Sequence, residues 1–192
     1  MIIINKDNKD ISTFIDNNID KIWDYFDLKK EDIYINITSN YDEFRSIFFD
    51  NLNELPGKYT CGFILDSKKT VVVLSYEDYI KTHVEDYDAY LKMILHECVH
   101  VVHSIYCNRN YPIKCIWEGI ATYLSDQYKE HSISDIPEEY LLTDKLSYVY
   151  YYSIMKLLIE NFDKKTILKL LKNEIIADNY IHEIYKKVKN NS

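Results

Sequence analysis

The stretch MILHECVHVVH, residues 93–103, sets three histidines and one glutamate inside an apolar run. Each buried titratable group costs free energy unless it finds a partner. The wider segment DYDAYLKMILHECVHVVHSIYC, residues 86–107, is apolar around most of a helical circumference. That pattern predicts a long central helix, capped near Asp86 or Asp88. On a helix, His96 and His100 lie one above the other on one face. Two imidazoles so placed can each present a nitrogen to a single Zn²⁺ at about 2.0–2.1 Å. Glu97 is rotated about 100° from His96. It flanks the metal without binding it, a position that suits a general base for a metal-activated water. The competing reading is a chance H-E-x-x-H match, which background composition produces in roughly one chain in a few hundred. The strongly apolar, helix-period setting weighs against chance.

A structural zinc site needs a fourth protein ligand, whereas a catalytic one keeps a position open. His103 stands three residues beyond His100, near the same face. One straight helix rarely closes three ligands on a metal, because the first and third diverge along the axis. His103 therefore reads as a residue behind the ligands, as a groove-lining residue, or as an ordinary partly buried histidine. Glu118 is the better third ligand. It lies beside Trp117 in the apolar run IWEGIATYL, residues 116–124, and the loop NRNYP, residues 108–112, lets the chain turn back towards the histidines.

Outward from this helix the order is mixed α/β first and all-helical afterwards. ISTFIDNNIDKIWDYF (11–26) has helical spacing, and DIYINIT (32–38) alternates as a strand. NYDEFRSIFFDNL (40–52) reads as a helix with Asn40 as N-cap. YTCGFIL (59–65), DSKK and TVVVL (70–74) read as a β-hairpin. Downstream, helices are expected over 116–130, 145–162, 164–173 and 178–189. The fold class is thus α+β: a small N-terminal mixed sheet with an edge hairpin, a central zinc-binding helix and a C-terminal helical lobe. We expect a single domain with an α/β lobe over 1–85, the active-site helix over 86–107 and the helical lobe over 108–192. The acidic EDYIKTHVEDYD (77–88) reads as a solvated, charged approach to the central helix. The lysine-rich YKKVKNNS (185–192) suits a helix C-terminus.

Composition narrows the partners. The chain has 192 residues, 47% hydrophobic, with a net charge of −8. A negative chain lacks the basic face that phosphate binding needs, so neither nucleic acid nor an anionic membrane is expected. No apolar run approaches the ~20 residues that span a bilayer. The three isoleucines of MIIIN are too few for a signal-peptide core of ~7–15 residues. A cytoplasmic monomer is the expectation, with secretion left open. The cysteines Cys61, Cys98, Cys107 and Cys115 form no C-x-x-C pair and read as thiols. Only in a secreted protein would Cys107 and Cys115, which flank a loop, be expected to pair.

H-E-x-x-H, followed eighteen residues after its second histidine by E-G-x-A-x-Y, resembles the gluzincin metallopeptidases, the thermolysin-like and aminopeptidase-like zinc enzymes. The resemblance implies a zincin-like fold with His96, His100 and Glu118 as zinc ligands and Glu97 as catalytic base. It implies that residues 59–65 form the edge strand along which a peptide or protein substrate pairs. It also implies a tyrosine hydroxyl for the oxyanion. Aligned on LLIENF, that is Tyr148, with Tyr150 and Tyr151 as close competitors in a chain of 19 tyrosines. Two features depart from the family. Its tryptophan usually precedes the third ligand by three residues, whereas Trp117 is adjacent to Glu118. KYTCGFILD (58–66) also lacks the acidic residue with which exopeptidases hold a free amino group. The expected function is a zinc-dependent endopeptidase with one Zn²⁺ per chain. The alternative is a non-catalytic zinc-binding pseudo-peptidase that serves as an interaction module.

Overall fold

The computed structural model describes residues 1–6, 8–83, 85–143 and 146–191. Among them are four strands and eight α-helices, an α+β arrangement. The chain divides into two compact units, Met1–Val102 and His103–Ser192.

The first unit is built on a mixed sheet of order β1-β2-β4-β3. β1 (Ile2–Ile4), β2 (Ile33–Ile37) and β4 (Thr70–Val73) run parallel, and β3 (Gly62–Leu65) pairs antiparallel with β4 as an edge strand. The 59–65 expectation is thus shortened: residues 59–61 precede the strand. A 3₁₀ turn, Asp66–Lys68, and Lys69 at φ 49° close the hairpin. β1 carries no strand signal in the sequence, since three isoleucines show no alternation. Their pairing with β2 joins segments about thirty residues apart.

α1 (Lys9–Tyr25) starts where the Asn8 side chain accepts from the Ile11 amide at 3.1 Å, and it buries Ile11, Ile15, Ile19, Ile22 and Trp23. α2 (Tyr41–Leu52) is capped from both directions. Asn40 accepts from the Glu43 amide at 2.9 Å, and the Glu43 carboxylate accepts from the Ser39 amide at 2.6 Å. Phe63 of β3 meets Phe44 and Phe48 of α2 edge to face.

The acidic stretch 77–88 is mostly solvent-facing, as expected: Glu77, Lys81, Glu85, Asp86 and Asp88 are exposed. Part of it forms α3 (Tyr76–Tyr79), capped by Ser75, and buries Asp78 and Tyr79. The Tyr79 ring stacks on His83 and packs near Tyr90, which anchors this solvated segment at one point. Val84 of this stretch lies outside the described residues.

α4 (Tyr87–Cys107) is the long central helix. Asp86 accepts from the Ala89 amide at 3.0 Å, as the capping expectation requires, and the Tyr90 hydroxyl donates to the Leu74 carbonyl at 2.7 Å. Burial raises the Tyr90 pKa, so that hydroxyl remains a donor.

The second unit is helical: the last turn of α4, then α5 (Lys114–Leu124), α6 (Tyr148–Asn161), α7 (Lys164–Leu171) and α8 (Ala177–Asn191). α5 stops six residues before the end predicted for it. Asp126 takes a left-handed φ of 52°, and the Gln127 amide donates back to the Thr122 carbonyl at 3.2 Å. Lys145, expected to begin the next helix, and Ser192 lie outside the described residues. A Cβ on Gly119 would stand 3.0 Å from the Tyr151 carbonyl, so α5 and α6 cross at backbone contact there. None of the four cysteines is disulfide-bonded. No helix of the described residues is long and apolar enough to cross a membrane.

Candidate metal centre

α4 carries the two histidines into the interior. His96 and His100 are each only 5% exposed, and their rings meet at 4.6 Å in an edge-on arrangement. The Glu118 carboxylate on α5 joins them: one ligand atom from each of the three residues lies within 4.8 Å of the others. Donors each about 2.0–2.2 Å from a tetrahedral metal are about 3.4 Å apart. The three side chains therefore need to close by no more than about an ångström and a half. Two imidazoles and one carboxylate are a donor set that Zn²⁺ accepts. The residues fit a metal ion.

Cys98 sits between the histidines in sequence but about 200° away around the helix. It is fully buried, and burial pushes its thiol pKa up, with the charge of Glu97 adding to the effect. It is a packing residue. Burial likewise pushes the Cys115 thiol up to about 12.

Glu97 points to a different neighbour, the edge strand. A Cβ built on Gly62 would fall 2.8 Å from its Cγ and 3.0 Å from its Oε1. The half-buried Cys61 thiol is pushed up to about 12, first by burial, then by the charge of Glu97, then by that of Glu85. Cys61 does not belong to the donor cluster. The Leu74 amide donates to the Cys61 carbonyl at 2.9 Å, so residue 61 turns its polar groups to β4. By antiparallel alternation, Gly62 and Ile64 turn theirs to the open edge.

His103 is not a member of the donor cluster, and it is not partly buried. It is fully enclosed. Its Nε2 donates to the Leu171 carbonyl at 2.7 Å, and its ring stacks on Trp117 with centroids 4.7 Å apart. Tyr111 meets the same indole edge to face at 4.9 Å. The tryptophan adjacent to Glu118, the departure noted above, thus packs the first turns of α5 against the end of α4. The sequence offered no signal for this, because the Leu171 partner lies 68 residues away.

The three tyrosines at the head of α6 differ in access. Tyr148 is 40% exposed, Tyr150 is half-buried and Tyr151 is 1% exposed. The Tyr148 ring rests against Tyr128 and Tyr151.

Comparison with protein-family models, with curated proteins and with solved structures gives no significant match.

Proposed function

We propose that the chain is a zinc-dependent endopeptidase of gluzincin type on a zincin-like scaffold. His96, His100 and Glu118 hold the metal, and Glu97 is the general base. The observation that carries this reading is the gathering of two histidine nitrogens and a carboxylate within 4.8 Å, with the Glu97 carboxylate beside an open strand edge. A Zn²⁺ ion bound there would supply Lewis acidity, polarising a carbonyl and acidifying a water towards a pKa of ~7. Glu97 takes the proton released in the attack on the peptide carbon and passes it to the departing nitrogen. The outward amides and carbonyls of Gly62 and Ile64 provide the rail on which an extended peptide pairs. That rail runs past the proton acceptor. Tyr148 donates its hydroxyl to the oxyanion; its exposure suits a group that must reach substrate, whereas Tyr151 is enclosed.

Zinc content and cleavage of a broad peptide library, read by mass spectrometry, test the reading. The parent and Glu97→Gln should each carry one zinc. The variant should cleave about 10²- to 10⁴-fold more slowly, the usual worth of a general base. A zinc-loaded parent that cleaves nothing would sink the peptidase assignment and leave a metal-binding module.

A further inference from the structure

Gly62 is one of only three glycines in the chain. Glycine in a strand interior weakens the strand and needs a reason. One usual reason is a left-handed backbone, and it does not apply: no glycine here has positive φ. The other is the close approach of another group. The atoms that a Cβ would meet all belong to Glu97: Cγ at 2.8 Å, Oε1 at 3.0 Å and Cδ at 3.1 Å. The missing side chain is the space that Glu97 fills.

The strand geometry explains why this position matters. Successive residues of a strand point to opposite faces. Phe63 meets α2, so Gly62 faces the other way, towards α4. Gly62 also belongs to the pair of residues whose backbone polar groups face the open edge. Any larger residue at 62 would push the carboxylate out of the notch or push the edge strand off α4.

We infer that Gly62 is a positioning residue: its lack of a side chain seats the Glu97 carboxylate against the backbone of the edge strand. The contact stands on geometry alone. Its consequence for turnover rests on the peptidase reading, because it fixes where the proton acceptor stands relative to a paired substrate.

The test is a double-mutant cycle of Gly62→Ala with Glu97→Ala in the full chain, read first as melting temperature. Overpacking at 62 should lower Tm by about 2–12 °C when Glu97 is present. The drop should largely disappear in the Glu97→Ala background, where the clashing atoms are gone. An equal drop in both backgrounds overturns the inference, whatever the chain cleaves. The second readout is kinetic. Gly62→Ala should retain one zinc and keep KM within about twofold, while kcat falls about tenfold to a hundredfold, as a misplaced catalytic group predicts. Coupled Tm values with kcat unchanged would refute the positioning role. Coupled Tm values in a chain that cleaves no peptide would refute the peptidase reading and leave Gly62 as the seat of Glu97.

Discussion

His103 shows how much a residue's role depends on partners remote in sequence. Read along the helix, it stands three residues from His100, near the same face, and has no evident partner in sequence. In the fold, its Nε2 is committed to the Leu171 carbonyl and its ring to Trp117. An imidazole that donates from Nε2 and stacks on an indole is a structural clamp for the turn between α4 and α5. Replacement by phenylalanine keeps an aromatic face on Trp117 but removes the donor. An abandoned buried carbonyl costs about 1–3 kcal/mol, which for a chain of this size lowers Tm by roughly 2–12 °C. His103→Phe should therefore melt earlier and still bind one zinc per chain. Loss of zinc from that variant would place His103 among the ligands and overturn the clamp.

Helix termination illustrates the same chain at the scale of its elements. With so few glycines, the left-handed residue that ends a helix must come from elsewhere. Asp27, Asn108, Asp126 and Asn173 take φ between 49° and 57° just past the ends of α1, α4, α5 and α7. In each case the next amide reaches back five residues: Leu28 to Trp23, Arg109 to Ser104, Gln127 to Thr122 and Glu174 to Lys169, at 2.9–3.2 Å. These are Schellman closures with aspartate or asparagine where glycine is commonest. The left-handed conformation costs an L-residue about 1–2 kcal/mol, and less for these two types. Asp27→Gly should therefore raise stability by about 0.5–1 kcal/mol and Asp27→Val should lower it, as read by thermal melting. Asp126 is also the reason the predicted helix over 116–130 ran too long, since SDQYKE carries no glycine or proline as a visible stop. The helices whose apolar residues recur every three or four positions were legible for the opposite reason: α1 and α4 are long and strongly patterned. β1 was not legible, because three residues are too few to show a period. The histidine pair was legible from helix geometry alone. The seat of Glu97 was not, because Gly62 lies 35 residues upstream of it and only tertiary packing brings them together.

For the whole molecule, the metal is a question of linkage. An ion that binds the folded chain and not the unfolded one stabilises it by RT ln(1 + [L]/Kd), about 2.7 kcal/mol at a hundred times Kd. Tm should then rise by roughly 5–11 °C for a chain of 192 residues. The donors span His96 to Glu118, so an ion held by all three would also cross-link a loop of 22 residues that the unfolded chain leaves open. The rise should grow with the logarithm of free zinc and reverse with a chelator. Glu118→Ala removes one of the three donors and should lose most of the rise, while its melting without metal stays close to that of the parent. Calcium and magnesium, which prefer all-oxygen shells, should leave Tm unchanged for a centre built on two imidazoles. Two results would remove the metal centre from the account of this fold: a zinc response that survives Glu118→Ala undiminished, or an equal response to calcium.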